Sequence, residues 1–192
     1  MSWNSGFRRR ENPMGEKPDK PDQEEWQKLE TICHSAHVQM ILKFEEPMTR
    51  EDERLVERAK AALEGYYQHG FHQLYALSVD SQGNEFDGLQ LDTPIGQSSS
   101  CAEVGLMHCA AKRNGKPVTL VTVHRKKQTG DIHVANLCQT CCERLNHFFP
   151  GLKVILWLEG ALHKVPVRIL VPILFKRRWP NANGAATETF QG

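Results

Sequence analysis

Three cysteines and one glutamate, arranged in two short clusters, are the residues whose types and spacing indicate chemistry. Cys101-Ala102-Glu103 forms the first cluster, and Cys138-Gln139-Thr140-Cys141 follows after a segment long enough for a helix and two strands. Three thiolates can bind zinc tetrahedrally and leave its fourth position to water, and Glu103 is a carboxylate that need not be a ligand. The spacing therefore predicts a catalytic zinc site with Cys101, Cys138 and Cys141 as the metal ligands.

Other interpretations of these cysteines remain open from the sequence. Free cysteines are often buried as small apolar side chains, and a C-x-x-C pair can be a redox site. Cys142 is the obvious candidate for a fourth ligand that would close the zinc site, although adjacent residues on a helix point about 100° apart. We favour the open site.

Hydrophobic spacing predicts the elements that position the two clusters. A first helix is predicted from the recurrence of Leu29, Ile32, Ala36 and Met40, and a second from a capping box at 49–52 followed by an apolar face. Further helices are predicted near 101–112 and 139–148, with strands near 72–79, 84–90, 118–124, 132–136 and 153–158. This order predicts an α/β fold, a three-layer α/β/α sandwich with one mixed sheet of about five strands. Both clusters then open helices, where the positive end of the helix dipole favours thiolate.

Length and composition limit the remaining architecture. The 192 residues, 40% of them hydrophobic, suit one domain with tails. Residues 1–22 and 180–192 are poor in apolar side chains and are predicted to be disordered, leaving a domain at 23–179. The chain has no run of 18 apolar residues and no signal-peptide pattern, so we expect no membrane association and a reduced, cytoplasmic location for its six cysteines.

The two clusters and the segments around them resemble the cytidine deaminase superfamily, in its three-cysteine branch of free-nucleoside and blasticidin-type enzymes. Four further segments match motifs of these enzymes in order along the chain. Gly83, Phe86 and Gly88 match a D-G-x-x-F-x-G hairpin, and Gln90-Leu91-Asp92 occupies the place of an N-x-E motif. Residues 147–154 resemble an H-P-G-I-K segment, and residues 170–172 resemble a terminal L-L-P. The resemblance covers residues 50 to 176 approximately.

The resemblance implies a zinc-dependent hydrolytic deaminase that converts an amine of a cytosine nucleoside or analogue into a carbonyl and releases ammonia. Zinc would activate a water molecule, and Glu103 would carry protons to the ring nitrogen and the departing amine. Substrate binding is implied for Phe71 or His72, either of which matches the base-stacking aromatic. Gln90 and Asp92 match the sugar-binding pair of the family.

The resemblance also implies a homo-oligomer, a tetramer whose active sites are completed across subunits. The apolar run at 169–175 agrees with this, because a monomer would leave part of it exposed. A final strand or helix packed in its own core is the alternative interpretation of that run.

The chain departs from the family pattern close to the predicted ligands. Val104 and Cys142 stand where nucleoside deaminases commonly have arginine, and Leu137 replaces the proline before C-x-x-C. Two other functions therefore stay open, a deaminase of polynucleotides and a catalytically silent, zinc-stabilised interaction protein. The formal charge of +1 and the lack of an aromatic and basic stripe argue against nucleic acid as a partner. The presence of Glu103 argues against a protein without catalytic activity.

Overall fold

The computed structural model describes residues 23–69 and 71–171. Residues 23–37 belong to one compact unit, and the described residues from 38 onward belong to a second. The predicted tails at 1–22 and 180–192 lie outside the described residues, as does most of the apolar run at 169–175. The domain boundaries therefore stay predictions.

The described residues form four α-helices, six strands and two short 3₁₀ turns. The helices are α1 (Gln23–Leu42), α2 (Arg50–Tyr66), α3 (Ala102–Lys112) and α4 (Gln139–Phe148). The strands are β1 (Leu74–Val79), β2 (Glu85–Leu89), β3 (Thr119–Arg125), β4 (Ile132–Val134), β5 (Lys153–Leu158) and β6 (Ala161–Pro166). Within these residues, no helix is both long and apolar enough to cross a membrane.

All six strands belong to one mixed sheet; the mixed sheet was predicted, with about five strands. Its order is β2-β1-β3-β5-β6, and the short β4 pairs with β3 beside this path. The β3–β5 pair is parallel, and the other strand pairs are antiparallel. The parallel pair is connected through α4, so the N-terminus of that helix lies at the sheet edge where β3 ends.

Side chains alternate between two apolar layers along the central strands. Ala76, Leu120 and Val154 pack with α3 and α4, whereas Leu77, Val121 and Ile155 pack with α2. Burial on both faces explains why these strands are apolar almost throughout. The predicted α/β/α sandwich is confirmed.

Strand β6 is the element that the sequence reasoning missed. Its sequence contains Lys164 and ends in Pro166, which is unlike the apolar strands of the sheet centre. Lys164 is nevertheless 7% exposed, because its Nζ donates a 2.6 Å hydrogen bond to Oδ2 of Asp52 on α2. The ion pair makes a buried lysine tolerable in an edge strand.

The predicted first helix forms, but two of its predicted apolar-face residues are exposed. Ile32 and Met40 are 64% and 39% exposed, whereas Val38 and Ile41 are buried. The predicted capping box of α2 is present: Thr49 Oγ1 accepts from Asp52 N at 3.2 Å, and Asp52 Oδ2 accepts from Thr49 N at 2.8 Å. Asp52 therefore both caps α2 and binds the edge strand.

A glycine contact fixes α3 against β2. A Cβ atom on Gly88 would lie 2.2 Å from Ala102 O and 2.3 Å from Leu106 N, so only glycine allows the helix to approach this strand so closely. This approach holds the first turn of α3, which carries the first cysteine cluster, directly on the sheet.

Candidate metal centre and active site

Two helix N-termini bring the predicted ligands together. Cys101 is the N-cap of α3, Cys138 is the N-cap of α4, and Cys141 lies in the first turn of α4. The three Sγ atoms all lie within 4.8 Å of one another, and those of Cys101 and Cys138 are 3.9 Å apart. Tetrahedral zinc with Zn–S bonds of about 2.3 Å separates its sulfur ligands by about 3.8 Å. The arrangement of the thiols therefore fits zinc.

The ionisation of these thiols also favours a bound cation. Burial raises the pKa of Cys141, and the negative charges of Glu103 and the neighbouring cysteines raise it further. Burial likewise raises the pKa of Cys101, followed by the charge of Cys138. Thiolates that repel one another in this way need a cation to hold them ionised, as metal binding does when it releases their protons.

Cys142 faces away from this group. It is 3% exposed and belongs to the apolar core between the sheet, α3 and α4. Burial, followed by the charge of Cys138, raises its pKa to about 12. Among the described residues, the group able to hold a metal ion consists of Cys101, Cys138 and Cys141, so the geometry agrees with an open site rather than a closed one.

Glu103 lies beside the thiols and is held from two sides. Glu103 is only 3% exposed. Its Oε1 accepts a 2.7 Å hydrogen bond from Thr122 Oγ1, and its Oε2 accepts a hydrogen bond from Cys141 Sγ at 3.4 Å. Sequence reasoning missed Thr122. The available signal was a hydroxyl residue inside the apolar strand β3, since a buried hydroxyl requires a partner.

The four predicted substrate-binding residues lie next to one another. His72 Nδ1 is 2.8 Å from the carbonyl oxygen of Gln90, and Asp92 N donates to Phe71 O at 2.9 Å. These contacts join the chain before β1 to the chain after β2. Phe71 is 50% exposed, so its ring is accessible from solvent.

A backbone bridge joins this substrate-side group to the first metal cluster. Leu91 and Ser100 exchange backbone hydrogen bonds of 3.0 and 2.8 Å, and Ser100 immediately precedes Cys101. Ser99 Oγ donates to Asp92 Oδ1 at 3.1 Å, so the Asp92 carboxylate already has one donor. The side chain of Gln90 has no such donor: its Oε1 is buried without a hydrogen-bond partner among the described residues. An acceptor of this kind is satisfied by a hydroxyl or amine of a ligand.

The loop before the second cluster is held by Asn136, which sequence reasoning also missed. Its Nδ2 donates to Trp157 O at 2.9 Å, and its Oδ1 accepts from Trp157 N at 3.0 Å. The amide thereby imitates a strand residue beside β5, two positions before Cys138. These two hydrogen bonds restrain the loop that leads through Leu137 to Cys138.

Comparisons with known proteins find one curated relative and several solved structures of similar fold. No protein-family model matches the chain. Blasticidin-S deaminase of Bacillus cereus is 22% identical over 134 residues, which are 68% of this chain and 96% of that protein.

Solved cytidine deaminases share the fold. The enzyme of Burkholderia pseudomallei aligns with a TM-score of 0.52 and 22% identity over 67% of this chain and 100% of its own. That of Bacillus anthracis aligns with a TM-score of 0.54 and 20% identity over 62% of this chain and 86% of its own. The sheet, the two flanking helix layers and their order are therefore those of a known enzyme fold.

Proposed function

We propose that this chain, which belongs to the cytidine deaminase superfamily, is a zinc-dependent hydrolytic deaminase of a free cytosine nucleoside or nucleoside analogue. The observation that carries the proposal is the buried Glu103 carboxylate, 3.4 Å from Cys141 Sγ in a group of three converging thiols. A silent zinc-stabilised protein would have no use for a buried acid beside an open metal position, since burying a carboxylate is costly even when neutral donors bind it.

Cys101, Cys138 and Cys141 are the residues that hold the metal in this proposal. Zinc, when bound, supplies a water molecule of lowered pKa. The two N-cap positions direct the positive ends of α3 and α4 at the thiolates, which lowers the cost of three negative charges at one place. The three sulfurs converge although Val104 and Cys142 stand where the enzymes that this chain resembles commonly have arginine.

Glu103 is the proton carrier. Its Oε2 faces the thiol group and is the atom that takes a proton from the attacking water, whereas Oε1 is held by Thr122. Glu103 then gives protons to the ring nitrogen and to the departing amine of the substrate, as a general acid and base. Ammonia leaves, and a carbonyl group remains on the ring.

Phe71 and His72, with Gln90 and Asp92, bind the substrate in this proposal. The exposed ring of Phe71 offers a stacking face for a pyrimidine, because His72 is already fixed by its 2.8 Å contact to Gln90 O. The unpartnered Oε1 of Gln90 and the carboxylate of Asp92 are acceptors for sugar hydroxyls.

A substrate screen tests the function. Purified zinc-loaded protein is offered cytidine, deoxycytidine, blasticidin S and free cytosine, and ammonia release is measured against a chelator-treated sample. We expect release from at least one of the first three substrates and none after chelation. No release from any of them by a folded, zinc-containing protein would leave the silent interaction protein as the better description.

Metal analysis of cysteine variants tests the ligand set. Serine in place of Cys101, Cys138 or Cys141 is expected to lower zinc content well below one ion per chain. The matched substitutions Cys109→Ser and Cys142→Ser are expected to keep zinc. Loss of zinc from the Cys142 variant with zinc retained in the Cys141 variant would move the site.

The proposal extends to assembly and location. We propose a homotetramer, on the resemblance and on the apolar run at 169–175, and a cytoplasmic location, because all six cysteines are free and suit a reducing compartment. Light scattering at micromolar concentration is expected to give four times the 21.9 kDa chain mass. A monomer mass together with full activity would contradict the assembly.

A further inference from the structure

Two histidines extend the face of the sheet that carries Glu103. Along β3, Leu120 packs with α3 and Thr122 contacts Glu103, whereas Val121 and Val123 pack towards α2. Because side chains alternate along a strand, His124 lies on the same face as Thr122, about 6.6 Å further along. His124 is therefore two residues along β3 from Thr122, which holds the proposed proton carrier.

His133 stands beside His124 on the same face. The two residues are direct partners in the antiparallel β3–β4 pair, and side chains of such partners point to the same side. Their rings are in edge-to-face contact, with centroids 5.2 Å apart and an interplanar angle of 87°. On the other side of β3, His124 pairs with Leu74, two residues after His72. The histidine pair therefore lies on the face of the sheet that carries Thr122, beside the strand that follows His72.

The pair has hydrogen-bonding capacity that the protein does not use. His133 Nδ1 is buried without a hydrogen-bond partner among the described residues. Buried ring nitrogens normally have a partner, so this atom is a candidate contact for a ligand. His124 is half-buried, and burial lowers its pKa, followed by the effects of His133 and of Lys126 and Lys127.

Positive charge dominates the hairpin that carries the pair. Arg125 leans to the α2 side, where it pairs with Glu64 and lies 4.5 Å from the centroid of the Tyr67 ring. Lys126 and Lys127 follow, and no ion pair of either is present among the described residues. Asp131 is the acidic residue of the hairpin, and its carbonyl oxygen accepts from Lys126 N. The charges of Lys126 and Lys127 act on His124, so this hairpin presents two imidazoles together with two ammonium groups.

From this placement we propose that His124 and His133 bind a phosphate group, carried by the substrate as a monoester. The inference rests on the proposed function and narrows its nucleoside analogue to one that carries a phosphate, a nucleoside monophosphate, in place of the free nucleoside. A dianionic phosphate offers acceptors to His133 Nδ1 and to the ring of His124, and its negative charge offsets the charges of Lys126 and Lys127, which help to lower the pKa of His124. Free phosphate has the same chemistry, so the experiments distinguish the two sources.

The first experiment compares substrates. kcat/KM is measured for cytidine and for cytidine 5′-monophosphate with the wild type and with His124→Gln and His133→Gln, singly and together. We expect the ratio of monophosphate to nucleoside to exceed one in the wild type and to fall at least about tenfold in the double variant, because charge-assisted hydrogen bonds are lost. His147→Gln, an exposed histidine at the end of α4, is the matched control and should keep the ratio.

The second experiment does not depend on turnover. Imidazole resonances of zinc-loaded protein are followed by NMR as inorganic phosphate replaces chloride at constant ionic strength, with the two glutamine variants giving the assignments. We expect saturable shifts at His124 and His133 and none at His147. Shifts without a preference for the monophosphate would overturn the substrate assignment and identify a free-phosphate site. No shifts, together with a wild type that prefers cytidine, would overturn the whole inference while leaving the deaminase proposal intact.

Discussion

Thr122 Oγ1 donates a 2.7 Å hydrogen bond to Glu103 Oε1, and both residues are almost completely buried. This contact leaves Oε2 directed at the Cys141 thiol. A carboxylate with one oxygen held by a neutral donor keeps its second oxygen in a defined position. The relationship therefore separates the anchored oxygen from the oxygen that would carry protons in the proposed mechanism.

Glu103→Gln is predicted to keep the fold and zinc but to lower kcat by about 10²–10⁴-fold, because a general acid and base usually contributes that much. The amide preserves the hydrogen bond from Thr122 but cannot take up a proton. Steady-state ammonia release and zinc content measure the two effects. Glu143→Gln, an exposed residue of α4, is the control; a Glu103 variant with most of its activity would remove Glu103 from the mechanism.

Thr122→Val is predicted to lower kcat by about tenfold and stability by about 1–3 kcal/mol, because a buried carboxylate oxygen loses its donor. Thr122→Ser keeps the hydroxyl and should restore most of the activity. Thr119→Val makes the same change on the same strand but on the other face, and should leave kcat close to that of the wild type. Equal kcat values for the Thr122 and Thr119 variants would show that the hydrogen bond does not position Glu103.

Asn136→Ala is predicted to speed zinc transfer to a chelating dye by about tenfold, since outer partners of metal ligands commonly change metal affinity by 10–100-fold. The physical cause is the loss of both hydrogen bonds to Trp157, which frees the loop before Cys138. Asn84→Ala also removes a side-chain hydrogen bond, to Asp80 in the β1–β2 turn, and should transfer zinc at the wild-type rate. If the two variants release zinc equally, Asn136 is not a positioning residue.

Asp52→Asn is predicted to lower the free energy of unfolding at pH 7 by about 3–5 kcal/mol, because it leaves Lys164 buried without its counter-charge. Burial alone would raise the pKa of Asp52, but the hydrogen bonds from Lys164 and Thr49 outweigh it and lower the pKa below 3.8. The folded pKa thus lies below the unfolded one. The stabilisation is complete above pH 3.8 and is lost as the pH falls through the folded pKa.

Urea unfolding between pH 3 and pH 7 measures this effect, expressed as the difference between wild type and variant. That difference should shrink on the acid side. Glu51→Gln removes the same charge from an exposed position in the first turn of α2 and should show no such change. A constant difference across the pH range would contradict the assignment of acid sensitivity to Asp52.

Local patterns in the sequence determined most of the elements and the choice of candidate ligands. The capping box at Thr49 and Asp52 predicted the start of α2, because both partners lie within one helical turn. C-A-E and C-x-x-C predicted two helix starts, and the structure brings the three sulfurs within 4.8 Å. Their roles as ligands, like the role of Glu103, stay predictions.

Contacts between distant segments were decided only by the tertiary structure. Thr122 meets Glu103 across 19 positions, Asn136 meets Trp157 across 21, and Asp52 meets Lys164 across 112. Such pairs leave no periodic signal, because each partner fits its own strand or loop and gains its role only when the sheet forms. Strand β6 was missed for the same reason, because a lysine in the sequence indicates a surface position. Lys164 is buried only because the carboxylate of Asp52, from a distant helix, pairs with it.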